Sequence, residues 1–153
     1  MKDEHLTISS LSAPLDVGGR TLRNRVVLAP MSGVTDLPFR DLAWRFGAGL
    51  VVTEMVASRE LALNARESWS RIRNCGIRPH MVQLAGREAH WMAEAARIAE
   101  GEGADIIDIN MGCPAKKVIG GYSGSALMRD PDHALGLIEA TVNAVKVPVT
   151  VKM

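Results

Sequence analysis

Short apolar segments alternate with segments of helical periodicity along most of this 153-residue chain. The apolar segments cover residues 25–29, 50–53, 80–84, 105–110 and 147–152. The helical patterns cover residues 35–44, 58–74, 88–102 and 131–144. Because strands that alternate with helices form right-handed βαβ units, this order predicts an α/β fold with a parallel sheet.

The beginning of the chain does not follow this alternation. Residues 1–14 are predicted to be a loose leader. Leu15 to Val17 and Arg20 to Leu22 then flank Gly18-Gly19, and two glycines suit the positive φ angles of a tight hairpin turn. The sequence therefore predicts a β-hairpin before the first β/α unit.

Two architectures fit about five β/α units: an open doubly wound sheet, or the N-terminal portion of a TIM (β/α)8 barrel. The turn Pro30-Met31-Ser32-Gly33, which follows the first strand, lacks the glycine fingerprint of a dinucleotide-binding fold. The barrel is therefore the preferred interpretation, with residues 15–153 forming a partial barrel domain.

Composition excludes several classes of protein. The formal net charge of +1 gives no overall preference for nucleic acid, and the arginine-rich stretch 59–78 is typical of a solvated helix face. Two cysteines provide neither a disulfide framework nor a metal cluster, which favours a reducing cytoplasm. We interpret Cys75 as structural, assign no histidine to a metal, and expect no membrane segment.

The segment Asp108-Ile109-Asn110-Met111-Gly112-Cys113-Pro114 carries the clearest chemical signal. It places a thiol on a Gly/Pro turn after an apolar strand, and strand ends of α/β proteins are where ligands bind. Cys113 is then either a displayed acid or nucleophile, or a small buried apolar residue, as most unpaired cysteines are. The spacing alone does not decide between these two.

Several segments taken together resemble the tRNA-dihydrouridine synthase family, most closely its bacterial DusB-like branch. They are residues 24–31 (NRVVLAPM), 53–55 (TEM), 83–86 (QLAG), 110–118 (NMGCPAKKV), 124–131 (GSALMRDP) and 149–153 (VTVKM). The resemblance extends from about residue 15 to residue 153, and the motif around Cys113 is its most specific part.

The resemblance implies a TIM barrel that holds FMN at the carboxyl ends of its strands, followed by a helical domain that grips tRNA. It implies reduction of the C5–C6 double bond of a uridine in tRNA, with NADPH as the source of electrons and a monomeric full-length enzyme. Because residues 1–153 hold only five strands, we expect that this stretch alone binds FMN poorly, self-associates and is not a competent enzyme.

The resemblance also assigns the acid. Cys113 is expected to protonate uracil C5, because a free thiol titrates at about 8.5 and is mostly protonated at neutral pH.

Flavin contacts are expected from three places along the chain. Pro30, Met31 and Ser32 resemble the backbone cradle of the flavin ring, although Met31 could equally fill the core. Gln83 resembles the flavin-contacting glutamine, with a solvated turn residue as the alternative. Lys152 resembles the lysine that stabilises the reduced ring, with a surface lysine as the alternative.

The substrate side of the resemblance is less specific. Asn110 is expected to contact substrate or flavin beside the cysteine. Lys116, Lys117 and Arg129 are expected near tRNA phosphates, where contacts are independent of base sequence and sensitive to salt.

Two other functions remain open at this stage. One is another FMN-dependent barrel oxidoreductase, such as a dihydroorotate-dehydrogenase-like enzyme acting on a free pyrimidine. The other is a non-catalytic half-barrel that only binds RNA or a partner chain. The segment from Gly112 to Lys117 argues against the first, and the presence of Cys113, Gln83 and Lys152 argues against the second.

Overall fold

The computed structural model describes residues 8–74 and 76–153. Its strands are β1 (Leu15–Val17), β2 (Arg20–Leu22), β3 (Val27–Leu28), β4 (Leu50–Val51), β5 (Val56–Ala57), β6 (Met81–Ala85), β7 (Ile106–Asn110) and β8 (Val149–Lys152). Its helices are α1 (Ile8–Leu11), α2 (Leu37–Arg45), α3 (Ser58–Ala62), α4 (Arg66–Arg71), α5 (Ala89–Gly101), α6 (Lys116–Ile119) and α7 (Pro131–Ala144), with a 3-10 helix over Gly124–Arg129.

The strands after the hairpin run parallel to one another. β3 pairs with β4, and β5, β6, β7 and β8 form a sheet in chain order. An isolated parallel bridge between Val52 and Met81 joins the two groups, so β4 and β5 are two pieces of one barrel strand. The predicted fold class, an α/β partial barrel of about five β/α units after a hairpin, is confirmed.

The hairpin closes the amino end of the sheet's inner face. β1 and β2 pair antiparallel, and Gly18 and Gly19 have φ angles of 59° and 82°, as the predicted turn requires. Leu22 is 1% exposed and belongs to an apolar cluster with Leu50, Val52, Met81 and Ile106. This cluster is the floor of the interior.

Helices cover the outer face of the sheet. Helix α5 buries Met92, Ala95, Ala96 and Ala99 in the main core, where the alanines allow its backbone to approach β6 and β7 closely. Helix α7 begins as predicted at Pro131, and the Asp130 side chain accepts a hydrogen bond from the His133 N–H.

Some predicted boundaries differ from the structure. The helix predicted over 58–74 is two helices, α3 and α4, because Asn64 adopts a left-handed conformation with φ 63° between them. Part of the predicted loose leader is helix α1, and the Leu11 carbonyl accepts a hydrogen bond from the Arg25 N–H. Residues 1–7 of the leader and Cys75 lie outside the described residues.

The predicted strands are mostly too long at their ends. The first shrinks from residues 25–29 to β3, the second ends at Val51, and the last begins at Val149 rather than at residue 147. Through residues 8–74 and 76–153, none of the helices has the length and apolar character that crossing a membrane requires.

Candidate active site

Side chains on the inner face of the sheet form layers, because paired residues of parallel strands lie at the same height. The lowest layer is apolar and contains Val52, Met81 and Ile106. The next layer is polar and consists of Gln83, Asp108 and Thr150, which are successive partners across β6, β7 and β8. Above it, Asn110 is paired with Lys152. The polarity of the interior therefore rises toward the carboxyl ends of the strands.

The polar layer is joined by hydrogen bonds that lead to the cysteine turn. Thr150 Oγ1 donates to Asp108 Oδ1 at 2.6 Å, and Gln83 Nε2 donates to Asp108 Oδ2 at 2.7 Å. Asn110 Nδ2 donates to Gln83 Oε1 at 2.9 Å. Asn110 Oδ1 then accepts from the backbone N–H of Cys113 at 3.0 Å. The backbone N–H of Cys113 can only donate, so it fixes the orientation of the Asn110 carboxamide, which in turn fixes that of Gln83.

Asp108 is the buried carboxyl in this layer, with 4% of its surface exposed. Burial raises the pKa of Asp108, while hydrogen bonds from Gln83 and Thr150 and the charge of Lys152 act in the opposite direction. Its two oxygens are both used as acceptors within the layer. The site therefore holds a carboxyl whose charged form is disfavoured by its surroundings.

Cys113 lies on the turn after β7 and is half-buried. The Cys113 carbonyl accepts a hydrogen bond from the Ser125 N–H at 3.0 Å, and the Met111 N–H before it donates to the Lys152 carbonyl at 2.8 Å. Gly112 packs closely on the end of β8, since a Cβ there would lie 2.8 Å from the carbonyl carbon of Met153. The turn is therefore held by its own strand, by the 3-10 helix segment and by β8.

The turn after β3 carries the predicted flavin cradle at the same edge of the sheet. Pro30, Asp108, Thr150 and Lys152 line a cavity of about 390 Å³ that extends down to the hairpin. Met31 and Ser32 are exposed. The structure therefore brings Pro30 and Lys152 to one cavity, whereas Met31 and Ser32 are exposed and do not line it.

Gln83 lies inside strand β6 and not in a turn. Strand β6 continues to Ala85, and Gln83 is fully buried within it. Asp108 and Asn110 use one amide hydrogen and one carbonyl lone pair of Gln83. One N–H and one lone pair of the carboxamide are left for another partner, and the alternative of a solvated turn residue is wrong.

The predicted substrate cations follow the cysteine turn, on helix α6 and on the 3-10 helix. Lys116 and Lys117 are exposed on the short helix α6, directly after the cysteine turn. Arg129 is exposed at the end of the 3-10 helix and lines a separate cavity of about 260 Å³ with Ile119 and Tyr122. Among residues 8–74 and 76–153, no group of three or more His, Cys, Asp or Glu side chains is placed to hold a metal ion.

Sequence reasoning gave no role to Asp108, Thr150 or Glu54, and the structure places all three at this end of the sheet. A signal for Asp108 was present, because Asp108 and Asn110 alternate with Ile107 and Ile109. Polar residues at every second position of a buried strand share one face. Glu54 had no such signal, because its strand is interrupted.

Comparison with known proteins identifies the family that this chain resembles. The model of the family described as "Dihydrouridine synthase (Dus)" matches residues 27–153. A probable tRNA-dihydrouridine synthase of Rhizobium leguminosarum bv. phaseoli is 84% identical over 133 residues, which are 87% of this chain and 42% of that protein. tRNA-dihydrouridine synthase B of Pseudomonas putida is 52% identical over 138 residues, which are 90% of this chain and 41% of that protein. The chain thus spans less than half the length of these relatives.

Solved structures share the fold at low sequence identity. Histamine dehydrogenase from Rhizobium sp. 4-9 superposes with a TM-score of 0.66 at 15% identity, over 94% of this chain and 33% of that one. A variant of NCR from Zymomonas mobilis gives a TM-score of 0.56 at 19% identity, over 93% of this chain and 58% of that one. These likenesses support the barrel architecture alone. The family match over residues 27–153, together with close relatives in two bacteria, shows that the chain belongs to the dihydrouridine synthase family.

Proposed function

We propose that the protein is a tRNA-dihydrouridine synthase that reduces the C5–C6 double bond of a uridine in tRNA to 5,6-dihydrouridine, with FMN as cofactor and NADPH as electron source. Membership of the family and the printed names of the relatives support the reaction. FMN, NADPH and the roles of individual residues rest on the site's chemistry and on the resemblance described above.

The residues at the carboxyl edge suit the polar edge of a flavin. Lys152 is exposed on the strand next to Asn110. Gln83 is fully buried and does not line the cavity of Pro30 and Lys152, so its proposed flavin contact rests on the resemblance and on the N–H and lone pair that Asp108 and Asn110 leave unused. A pyrimidine edge presents alternating acceptors and a donor, so an amide and a cation are complementary to it. When bound, FMN supplies the hydride for uracil C6. Pro30 and Lys152, which line the same cavity, would be among the residues that hold FMN.

Cys113 is the proposed proton donor to uracil C5. A general acid needs a fixed position, and the Cys113 backbone N–H is anchored on the Asn110 carboxamide. The same carboxamide donates to Gln83, the proposed flavin contact. This path from Gln83 through Asn110 to Cys113 carries the proposal, since it connects the cofactor side of the site with the acid in two hydrogen bonds.

Lys116, Lys117 and Arg129 are proposed to contact tRNA phosphates. All three are exposed and follow the cysteine turn within the same β/α unit. Such contacts neutralise phosphates without reading sequence, so they favour a polyanionic substrate over a free pyrimidine. An assay that compares tRNA with free uridine and dihydroorotate distinguishes this proposal from the other flavin-barrel function.

The test of the acid is Cys113→Ala in the complete gene product. We expect uridine reduction in tRNA to slow by at least about 100-fold, while the flavin absorbance of the purified protein is unchanged. Cys75→Ser is the matched thiol control and should keep its turnover. Unaltered turnover of Cys113→Ala would remove the acid assignment.

Flavin binding by residues 1–153 alone is a separate measurement. The expectation that this stretch binds FMN poorly stays a prediction, and the ratio of flavin to protein absorbance after purification tests it. Stoichiometric FMN at micromolar protein would contradict the expectation and support the cavity lined by Pro30 and Lys152 as a sufficient site.

A further inference from the structure

The second barrel strand contains one extra residue opposite β6. Val52 is paired with Met81 and Val56 with Leu84, so four steps along one strand match three along its neighbour. Thr53 bridges the mismatch: its N–H donates to the Met81 carbonyl at 3.2 Å, and its Oγ1 accepts from the Gln83 N–H at 3.1 Å. This is a β-bulge, a device that redirects a side chain next to a functional site.

Glu54 lies within this bulge, directly after Thr53. Its side chain is 12% exposed, and Oε1 accepts a hydrogen bond from the Gly33 N–H at 2.7 Å. Glu54 Oε2 lies 4.0 Å from Arg71 Nε, and Arg71 Nη1 donates to the Met55 carbonyl at 3.3 Å. The carboxylate thus connects the turn after β3 to the second strand, with a guanidinium group behind it.

The turn after β3 is also held from its other side. Thr35 is fully buried; its Oγ1 accepts from the Met31 N–H at 3.0 Å, and its N–H donates to the Met31 carbonyl at 2.9 Å. These bonds join residues of the same loop and fix its shape. The bond from Gly33 to Glu54 joins the loop to the neighbouring strand, so it fixes the position of the loop relative to the sheet.

We propose that Glu54 is a positioning residue that holds the turn Pro30-Met31-Ser32-Gly33 in place at the mouth of the barrel. This inference rests on the proposed function, in which that turn supports the flavin ring. The mechanism is a hydrogen bond from the Gly33 N–H to a side-chain oxygen at position 54, which joins the turn to the neighbouring strand and requires the reach of that side chain.

A purely electrostatic role is the alternative, in which Glu54 serves only to balance Arg71. Arg71 has a second carboxylate, because its Nη2 lies 2.5 Å from Glu67 Oε1 on helix α4. Glu67 is 78% exposed and does not belong to the site, so Glu67→Gln is a matched control that changes the charge near Arg71 and leaves Gly33 untouched.

Three substitutions separate position from charge. Glu54→Ala removes both the acceptor and the charge. Glu54→Gln keeps a carbonyl oxygen of the same reach without the charge. Glu54→Asp keeps the charge and shortens the reach by one methylene group, so it tests position even if the alanine variant fails to fold.

The first measurement is hydrogen–deuterium exchange of a peptide covering residues 30–35, which needs no flavin. We expect Glu54→Ala and Glu54→Asp to exchange about tenfold faster than the parent, with Glu54→Gln and Glu67→Gln close to it. The second is FMN affinity of the complete gene product, where the same order should appear as an about tenfold weaker dissociation constant.

Each outcome bears on one claim. If the exchange rate of residues 30–35 in both Glu54→Ala and Glu54→Asp equals that of the unsubstituted protein, the positioning role is overturned. If residues 30–35 exchange as fast in Glu54→Gln as in Glu54→Ala, the role of Glu54 is charge balance at Arg71 and not positioning. The same conclusion follows if exchange in Glu67→Gln is as fast as in either of these variants. A parent protein that binds no FMN would instead overturn the proposed function, while the exchange result would still decide the role of Glu54.

Discussion

Strands β6 and β7 carry apolar side chains on their outer face and polar side chains on their inner face, and the two kinds alternate along each strand. The outer face presents Val82, Leu84, Ile107 and Ile109, all at most 1% exposed and packed beneath helix α5. The inner face presents Gln83, Asp108 and Asn110, which are also buried but polar. Both faces are therefore buried, and they differ in the chemistry of the buried groups.

The inner face contributes less to the stability of the fold than the outer face. Buried apolar side chains stabilise the fold in proportion to their area, whereas a buried carboxyl needs hydrogen bonds merely to offset its desolvation. The inner layer meets that need through Thr150 and Gln83. A layer of this kind at the carboxyl ends of barrel strands is expected of a functional site and not of a core.

The outer face should be the more sensitive to truncation. Leu84→Ala removes a fully buried side chain from the main core and should lower the free energy of unfolding by about 2–5 kcal/mol. Urea unfolding followed by circular dichroism measures this loss. Leu84→Met, which nearly conserves volume, is the control and should lose less than about 1.5 kcal/mol. Equal losses would show that the outer face is not close-packed.

The inner face should depend on its hydrogen bonds more than on its volume. Thr150→Val keeps the shape but leaves Asp108 Oδ1 without its 2.6 Å donor, so the free energy of unfolding should fall by about 1–3 kcal/mol. Thr141→Val is the matched control on helix α7, where the lost hydroxyl served the neutral Leu137 carbonyl. If Thr141→Val loses more free energy of unfolding than Thr150→Val, the hydroxyl bound to the Asp108 carboxyl contributes less than the one bound to the Leu137 carbonyl, and the prediction is wrong.

Removing the charge of Asp108 should cost the least. Because burial raises the pKa of Asp108 above its usual 3.8, its contribution to stability is complete below that pH and is lost as pH rises through the raised value. Asp108→Asn should therefore leave the free energy of unfolding at pH 7 unchanged, or raise it by up to about 1 kcal/mol.

Asp105 provides the control of opposite sign. Burial opposes the change, but hydrogen bonds from the His80 N–H and from Arg78 lower the pKa of Asp105. Its contribution is present above pH 3.8 and is lost as pH falls, so Asp105→Asn should destabilise the protein at pH 7. A destabilised Asp108→Asn beside an unaffected Asp105→Asn would contradict both assignments.

The sequence predicted the outer face better than the inner one. Alternation of apolar residues and helical periodicity depend on local patterns, and they located β6, β7, α5 and α7 to within a few residues. The bulge at 53–55 was not predictable, because it arises from the register between β5 and β6 and from no local pattern. The predicted strand 80–84 ends one residue before β6, because Ala85 is held by its pairing with Ala57 of β5 and by no local pattern.

The site was predicted as a set of residues and not as a network. Cys113, Asn110, Gln83 and Lys152 were each chosen for their chemistry, and the structure connects the first three by hydrogen bonds. The connection depends on the Asn110 carboxamide, which bonds both to Gln83 on β6 and to the turn at Cys113. These contacts depend on the packing of neighbouring strands, so a local sequence pattern does not predict them. Asp108 and Thr150 escaped notice because their role is to orient a neighbour.

The close packing of Gly112 on Met153 limits how this site can vary. A single methyl group at position 112 would act as a spacer between the cysteine turn and the end of β8, where the clearance for a Cβ is 2.8 Å. It would push apart the cysteine turn and β8, which are joined by the hydrogen bond from the Met111 N–H to the Lys152 carbonyl. The absence of a side chain at position 112 is therefore what lets the cysteine turn contact the end of β8, and a substitution there would disturb both segments without changing Cys113 or Lys152.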